Sequence, residues 1–407
     1  MTKRPASEPH LFGRSTTSYH ATPAAQSAQE KKHAQRHQVK LGLIASGGVD
    51  RSGRERVVPA LLHLLARLAR RHDVHVFALA QYPEECHYPL LGATVHNLGV
   101  PWAPRGMGMA RALPLLLRAL RAAGPFDVLH GYMGVPAGLL SVVAAKRLRV
   151  PVVVTFDGNE LVARPDIGYG LGLTRRGRLL VALEARLAAR VTVCSGYMAD
   201  LARQRGLSVE VIPLGIDPSL ATTARPQEGP PWRLLHVAHL NRVKDQSTLL
   251  RAFARVRDAE PDVHLDVVGV DTLGGAVQAE SLQLGLEGAV TFHGLVPADE
   301  VWRFYGAAHL LLLPSQHEAA GVAVLEAAAC GVPTVGTAVG YVADWSQQGA
   351  ARAVAIGDAA GLAQAILELL RDGPARRRMA EAAADLARAH DADWTARRFE
   401  ALYTSVR

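Results

Sequence analysis

From residue 39 onward, short apolar runs alternate with longer stretches whose apolar positions recur every three to four residues. The runs VKLGLIA (39–45), VHVFAL (74–79), TVHNL (94–98), DVLHGY (127–132), VPVVVTF (150–156), RVTVCS (190–195) and VEVIPL (209–214) predict strands. Most are apolar on both faces, as parallel strands covered on two sides must be. Helical spacing lies between them at 53–71, 110–123, 135–148 and 196–206. The stretch IDPSLATTARPQEGPPW (216–232) then breaks the pattern with Pro, Thr and Gly and reads as a linker. The alternation resumes with strands at 232–238, 263–269, 290–295, 309–315 and 332–337 and helices at 245–259, 274–285, 297–307, 321–330, 358–372, 374–389 and 394–407. This order predicts an α/β fold of two Rossmann-like halves, each a doubly wound parallel sheet. The expected division is 39–218, a linker at 219–231, a second half at 232–390 and a closing helix within 391–407. Residues 1–38 have no periodicity and are rich in Ala, Ser, Thr, Gln and His, so a disordered tail is expected there.

Composition agrees with this division. A single core rarely grows beyond roughly 250–300 residues, and the chain has 407. A hydrophobic fraction of 49% excludes wholesale disorder. The three cysteines, Cys86, Cys194 and Cys330, are far apart, which excludes a disulfide scaffold or thiolate zinc cluster and suits a reducing compartment. The first residues hold no apolar signal core. The best candidate span, Gly138 to Phe156, is broken by Lys146, Arg147, Arg149 and Pro151. The expectation is a soluble cytoplasmic protein, with the inner face of a membrane as its place of contact if it touches one. The net charge of +8 admits nucleic acid, an anionic membrane or a phosphorylated small molecule as partner. Half of that charge lies in residues 1–38, where six cations stand against Glu8 and Glu30.

Several motifs are absent. There is no nucleotide-binding P-loop and no G-x-S-x-G elbow; His317-Glu318 lacks the second histidine of a zinc protease. His236 and His239 alternate in direction along a strand end, which spoils joint metal ligation. Asp391-Ala392-Asp393 precedes the last helix and reads as a cap rather than a cation site. No metal site is expected. GMGMA (106–110) and GYGLG (168–172) are out of dinucleotide-binding register.

Three clusters remain. In HLLLLPSQHEAAGVAVLEAAACGVPTVGT (309–337) an apolar strand ends in a loop bearing Glu318, and a helix opening near Gly321 carries Glu326. At about 1.5 Å rise per residue, eight residues place the carboxylates roughly 10–12 Å apart, the span of a diphosphate between two sugar rings. The helix N-terminus between them attracts phosphate, and Gly321 admits a close approach. Two solvated helix carboxylates are the ordinary alternative. In HVAHLNRVKDQSTLLRAF (236–253) Arg242 and Lys244 stand in a strand-to-helix turn, suited to a diphosphate or simply solvated. In ASGGVDRSGRERVV (45–58) Gly47-Gly48 follow the first strand, where a tight turn admits a phosphate or merely reverses the chain.

In this order and spacing the clusters resemble retaining glycosyltransferases of family 4, the glycosyl transferases group 1, on the GT-B fold, from about residue 39 to 402. The resemblance implies a nucleotide-diphosphate sugar as co-substrate, bound mainly by the second half, with no cofactor and no metal. It assigns Lys244 to the diphosphate, Glu318 to the transferring sugar and Glu326 to the ribose. Backbone at Ala320, Gly321 and Val322 would meet sugar and phosphate, and Gly48 would face the diphosphate from the first half. The sequence departs from the family at three points. His239 stands where the family has arginine, with Arg242 as a substitute charge. Asp157 stands where the family has histidine, and would bond a sugar hydroxyl or cap a turn. Ala319-Ala320 follow the first Glu in place of Gly and a bulky residue. Sugar-nucleotide epimerases, phosphorylases and a non-catalytic sugar-nucleotide-binding protein remain alternatives. The acceptor would be a glycan or a lipid-linked molecule, not nucleic acid. Trp102, Arg105, Met107, Met109, Arg111, Arg118 and Arg121, with Arg175, Arg176 and Arg178, would suit peripheral contact with an anionic membrane; a helix packed on its sheet is the alternative.

Overall fold

In a computed structural model, which describes residues 38–100 and 107–407, the first half builds eight strands: β1 (Lys40–Ala45), β2 (Asp73–Ala78), β3 (Cys86–Leu90), β4 (Ala93–Asn97), β5 (Val128–Tyr132), β6 (Val152–Phe156), β7 (Arg190–Val193) and β8 (Glu210–Val211). Their order is β3-β4-β2-β1-β5-β6-β7-β8, parallel except for the antiparallel β3–β4 pair. The second half builds β9 (Trp232–Val237), β10 (Val263–Val268), β11 (Val290–Gly294), β12 (Leu310–Leu313), β13 (Thr334–Thr337) and β14 (Ala351–Val354). Its order is β11-β10-β9-β12-β13-β14, all parallel. The fully buried runs β5, β6 and β12 are those whose sequence is apolar on both faces. In each sheet the chain builds outward on one side, then restarts on the other, between β1 and β5 and between β9 and β12. Ligands in open α/β sheets bind beyond the strands' carboxyl ends at such a reversal.

The expected fold class is therefore present, with local differences. The helix expected over 53–71 starts only at Pro59. Residues 49–57 instead form a loop closed by a Val49–Val57 bridge. Gly48 takes a φ of +84°, and a Cβ there would lie 2.5 Å from Val58, so the turn requires glycine. Strands β3 and β14 and helices Arg175–Leu187 and Gly340–Ser346 lacked a clear apolar period; β3 carries Pro89 at an antiparallel edge, where proline is tolerated. Within 219–231 the only regular structure is the end of a short turn of 3₁₀ helix, Pro218–Leu220. The expected tail falls almost wholly, and Trp102 and Arg105 fall entirely, outside the described residues, as does the side chain of Met107.

Val39–Arg407 is one compact unit. Asp391 caps the last helix, Ala392–Val406, its carboxylate accepting from the Trp394 N–H at 2.7 Å, as its sequence position suggested. Ala396, Phe399, Leu402 and Tyr403 of this helix are buried with Leu61, Leu64 and Leu65 against the first sheet. The Tyr403 hydroxyl meets His130 Nδ1 at 2.7 Å, and His130 Nε2 meets Thr155 Oγ1, itself 2.7 Å from Thr192 Oγ1. Burial pushes the His130 pKa down to about 3, so the ring is neutral and relays hydrogen bonds between three strands and the last helix.

A second buried group carries an unmet cost. Glu184, on helix Arg175–Leu187, is fully buried and neither carboxylate oxygen has a partner. Burial and the nearby Glu160 push its pKa up to about 8; the Leu139 N–H, outside hydrogen-bonding geometry, offsets this only in part.

Phe399→Ala should lower unfolding stability by about 3–5 kcal/mol and Tyr403→Phe by about 1 kcal/mol, read from urea transitions. Wild-type values for both would remove the last helix from the first half's core. The Glu184 carboxyl is protonated in the folded chain at a pH where the unfolded chain has lost that proton. Its contribution is thus complete below about pH 4.5 and lost as pH rises to about 8. Glu184→Gln should therefore flatten the fall in urea midpoint across that window.

Candidate functional site

Loops leaving the carboxyl ends of both sheets meet one another. The Gly158 carbonyl, after β6, accepts from His317 Nε2 after β12 at 3.0 Å. Arg164 donates to the Gln316 carbonyl at 3.0 Å. Arg54, in the loop after β1, pairs with Asp299 after β11 at 2.9 Å. Asp344 accepts the Gly196 and Tyr197 N–H groups at 2.7 and 2.8 Å, capping a first-half helix from the second half. Glu318 follows directly on Gln316 and His317 at this seam.

Two loops at the β9–β12 reversal are joined directly. The Gln316 N–H donates to the Val243 carbonyl at 2.7 Å, and the Gln316 side chain donates to Asp245 at 2.7 Å. The Asn241 side chain accepts from the Val243 and Lys244 N–H groups at 3.0 Å, a local turn that aims Lys244 along the seam. Lys244 Nζ then lies 2.5 Å from Glu318 Oε1, which also accepts from Ser315 Oγ at 2.6 Å. Glu318 is only 7% exposed, so this charge is held by partners rather than by water.

Behind Glu318 the backbone is tightly packed. A Cβ at Gly340 would stand 2.5 Å from the Ala320 carbonyl and 2.9 Å from the Glu318 Cβ. The same Ala320 carbonyl accepts from the Tyr341 N–H at 2.7 Å. Gly321 is the N-cap of helix Val322–Ala329 with a φ of +86° and offers no side-chain cap. The Val324 N–H donates to the Gly321 carbonyl at 2.8 Å; the Val322 and Ala323 N–H groups ahead of it open the helix, and its dipole favours an anion there. Glu326 sits in the second turn, half-buried, and accepts from the Tyr305 hydroxyl at 2.7 Å. Burial outweighs that bond and pushes its pKa up to about 7.

The remaining expected residues are placed differently. Arg242 is exposed at the rim of the Lys244 loop. His239 is exposed in the same loop; burial of its ring nitrogens and the Lys244 charge lower its pKa. His236 points into the sheet, its ring held by the Leu312 carbonyl at 2.8 Å and by Gln246 at 3.0 Å, so it does not share a ligand with His239. Gly48 lies at the carboxyl end of β1, but its N–H is taken by Gln81 Oε1 at 2.7 Å and its carbonyl accepts from the Val58 N–H at 3.0 Å, so its peptide groups are engaged within the fold. Asp157 follows β6 on the first-half wall. Burial and the Glu160 charge push its pKa up to about 7, and the buried Tyr132 hydroxyl beside it has no partner of hydrogen-bonding geometry. Glu160 itself accepts from the Gly134 and Gly158 N–H groups at 2.6 and 2.8 Å.

Ser315, Tyr305, His317 and Glu160 were not singled out from sequence. Ser315 had a usable signal, a polar residue at the end of an apolar strand three positions before Glu318. Tyr305, His317 and Glu160 act through contacts between distant segments and had none.

The family model for glycosyl transferases group 1 matches residues 223–386, and that for a glycosyl transferase 4-like domain matches 57–215. A D-inositol 3-phosphate glycosyltransferase of Arthrobacter sp. is 27% identical over 365 residues, 81% of this chain and 84% of that one. One from Thermomonospora curvata is 30% identical over 323 residues, 72% and 75%. The crystal structure of Anabaena HepE in complex with UDP-glucose superposes with a TM-score of 0.70 at 20% identity, covering 90% of this chain and all of that one. With both halves matched and the carboxyl ends of two parallel sheets apposed, the chain belongs to the glycosyl transferases group 1, family 4 of the glycosyltransferases, on the GT-B fold.

Proposed function

We propose that this glycosyltransferase moves a sugar from a nucleotide-diphosphate donor to an acceptor hydroxyl with retention of anomeric configuration and without a metal ion. The observation that carries the reading is the Lys244–Glu318 pair beside the uncapped N-terminus of helix Val322–Ala329. A nucleoside diphosphate offers Lys244 a more highly charged partner than Glu318. On its arrival the ammonium turns to the diphosphate, and the carboxylate is released to accept hydrogen bonds from sugar hydroxyls. Glu326 receives the ribose hydroxyls. UDP-glucose in the HepE structure and the hydroxyl acceptor named for the inositol-phosphate relatives support the substrate classes.

In the transfer step the bond from the anomeric carbon to the diphosphate oxygen breaks, and negative charge grows on that oxygen. Lys244, Arg242 and the helix N-terminus stabilise it, a task that in other enzymes falls to a divalent cation. The acceptor oxygen bonds the anomeric carbon from the face the diphosphate leaves, and its proton passes to the departing phosphate oxygen. No protein base is required. Asp157, on the opposite wall, holds a sugar hydroxyl, donating when protonated and accepting when ionised.

Lys244→Ala should lower kcat/KM for the donor by about 100-fold or more, and Glu326→Ala by about 10–100-fold, measured by nucleotide release with a panel of nucleotide-sugars. Unchanged donor kinetics in both would overturn the site. Proton NMR of fresh product should find the donor's anomer, in buffer with or without EDTA; the opposite anomer, or loss of turnover on chelation, would overturn retention or metal independence. Asp157 ionises as pH rises through about 7. Turnover should change across that pH, and Asp157→Asn should remove that inflection; its persistence in the variant would assign the titration elsewhere.

A further inference from the structure

Helix Arg175–Leu187 has two unlike faces. Gly177, Val181 and Glu184 point inward. Outward stand Arg175, Arg176, Arg178, Leu179, Ala182, Leu183 and Arg186, whose spacing of three and four residues gathers them into one stripe. Leu179 is 70% exposed and Leu183 43%, and Leu173 just before the helix is 37% exposed. Three of the eight exposed large aliphatic side chains among the described residues thus fall within eleven positions. Scattered exposed leucines need no explanation, but a cluster framed by cations does.

The cations are unpaired. Among the described residues no carboxylate oxygen lies within 4.0 Å of Arg175, Arg176, Arg178, Arg186, Arg190 or Arg205. The acids nearby in sequence are engaged elsewhere: Asp200 pairs with Arg203, and Glu210 with Arg398. The one acid on the helix, Glu184, faces inward. Arg175, Arg178 and Arg205 line a cavity of about 450 Å³ whose other walls include Leu179, Val181 and Leu207. Burial and the charge of Arg178 both pull the Arg205 pKa below its usual value, as two like charges sharing one space require. Glu160 closes the inner end, its carboxylate held by the Gly134 and Gly158 N–H groups. It stands three residues from Asp157, so the cavity backs onto the first-half wall of the seam.

We infer that this face docks on an anionic membrane surface, the arginine cavity taking a headgroup phosphate while Leu179, Leu183 and Leu173 enter the acyl boundary. Guanidinium groups match phosphate oxygens in pairs, and apolar side chains beside them have no role in a purely ionic contact. A nucleic acid would use the arginines and leave the leucines in water. The helix Met107–Ala123 is less suited, because Arg118 is already paired with Glu85 at 2.7 Å. Docking here would bring the first-half wall, and with it the acceptor side of the seam, to the lipid.

The test is co-sedimentation of the full chain with vesicles of phosphatidylcholine alone and with about one third phosphatidylglycerol. The wild type should partition onto the anionic vesicles and not the neutral ones. The double variant Leu179→Ser, Leu183→Ser should partition about tenfold less, with its circular dichroism and its affinity for UDP-glucose unchanged. Wild-type partitioning by that variant would reduce the contact to non-specific adhesion of a cationic chain, and would overturn the proposal. So would equal binding to both vesicles, or binding to neither. Both proteins carry residues 1–38, so the charge of that segment does not enter the comparison. The readout needs no sugar transfer, and it stands or falls apart from the reaction proposed above.

Discussion

The contact of 2.5 Å between Lys244 and Glu318 is the constraint around which the second half is arranged. Two opposite charges have been drawn out of water at the end of adjacent parallel strands. Taken singly, either would cost several kcal/mol to bury. Together, with Ser315 supplying a further hydrogen bond, they are tolerated. Neither is tied by anything that a ligand could not replace. In the reaction proposed above a diphosphate takes the lysine and sugar hydroxyls take the carboxylate, so that binding exchanges partners rather than stripping bare charges. That exchange depends on the two loops keeping their register, which the Gln316–Val243 backbone bond and the Gln316–Asp245 contact enforce.

The same economy appears across the seam between halves. The contacts there are mostly single hydrogen bonds to backbone groups: His317 to the Gly158 carbonyl, Arg164 to that of Gln316, Asp344 to two helix N–H groups. The Arg54–Asp299 pair at the rim is exposed on both sides and worth little in water. Beneath them the halves share an apolar layer, in which Met198, Leu214 and Ile216 of the first half are buried in one cluster with Ala319, Tyr341 and Trp345 of the second. The last helix adds a further anchor through Phe399 and Tyr403 in the first half's core. The halves are thus joined by two packed regions, while the loop ends meet through single hydrogen bonds.

How far the sequence could be read follows from which interactions are local. The strands β5, β6 and β12 were legible because a parallel strand buried on both faces leaves a nearly continuous apolar run. Glu318, Gly321 and Glu326 were legible because they share one strand-loop-helix segment. What escaped was set by distant partners. Nothing near Gly48 in sequence announces that Gln81 takes its amide. Residues 53–57 look like the start of a helix until Asp50, bonded by Ser52, Tyr82 and Arg56 strongly enough to hold its pKa near 2 against the cost of burial, ties the loop down. The helix Arg175–Leu187 hid its period because three apolar positions sit on its outer face, where a helix packed only on its own sheet would be polar.

That last failure also bears on the charge of the chain. A formal +8 describes the chain but not any surface of it. Arg67, Arg376 and Arg56 are consumed in ion pairs with Asp217, Glu228 and Asp50, so their charge reaches no partner. Lys244 is held by Glu318. Four cations that have no carboxylate within 4.0 Å among the described residues, Arg175, Arg176, Arg178 and Arg186, stand instead on one helix of the first half, beside exposed leucines. A surface that concentrates unpaired guanidinium groups and apolar side chains together is costly in water on both counts. It is stable in an environment that offers phosphate and hydrocarbon within a few ångströms of each other, and a lipid bilayer has that profile along its normal. The positive charge of this protein is thus divided by depth: neutralised where it supports the fold, paired with Glu318 at Lys244, and exposed on one helix of the first half.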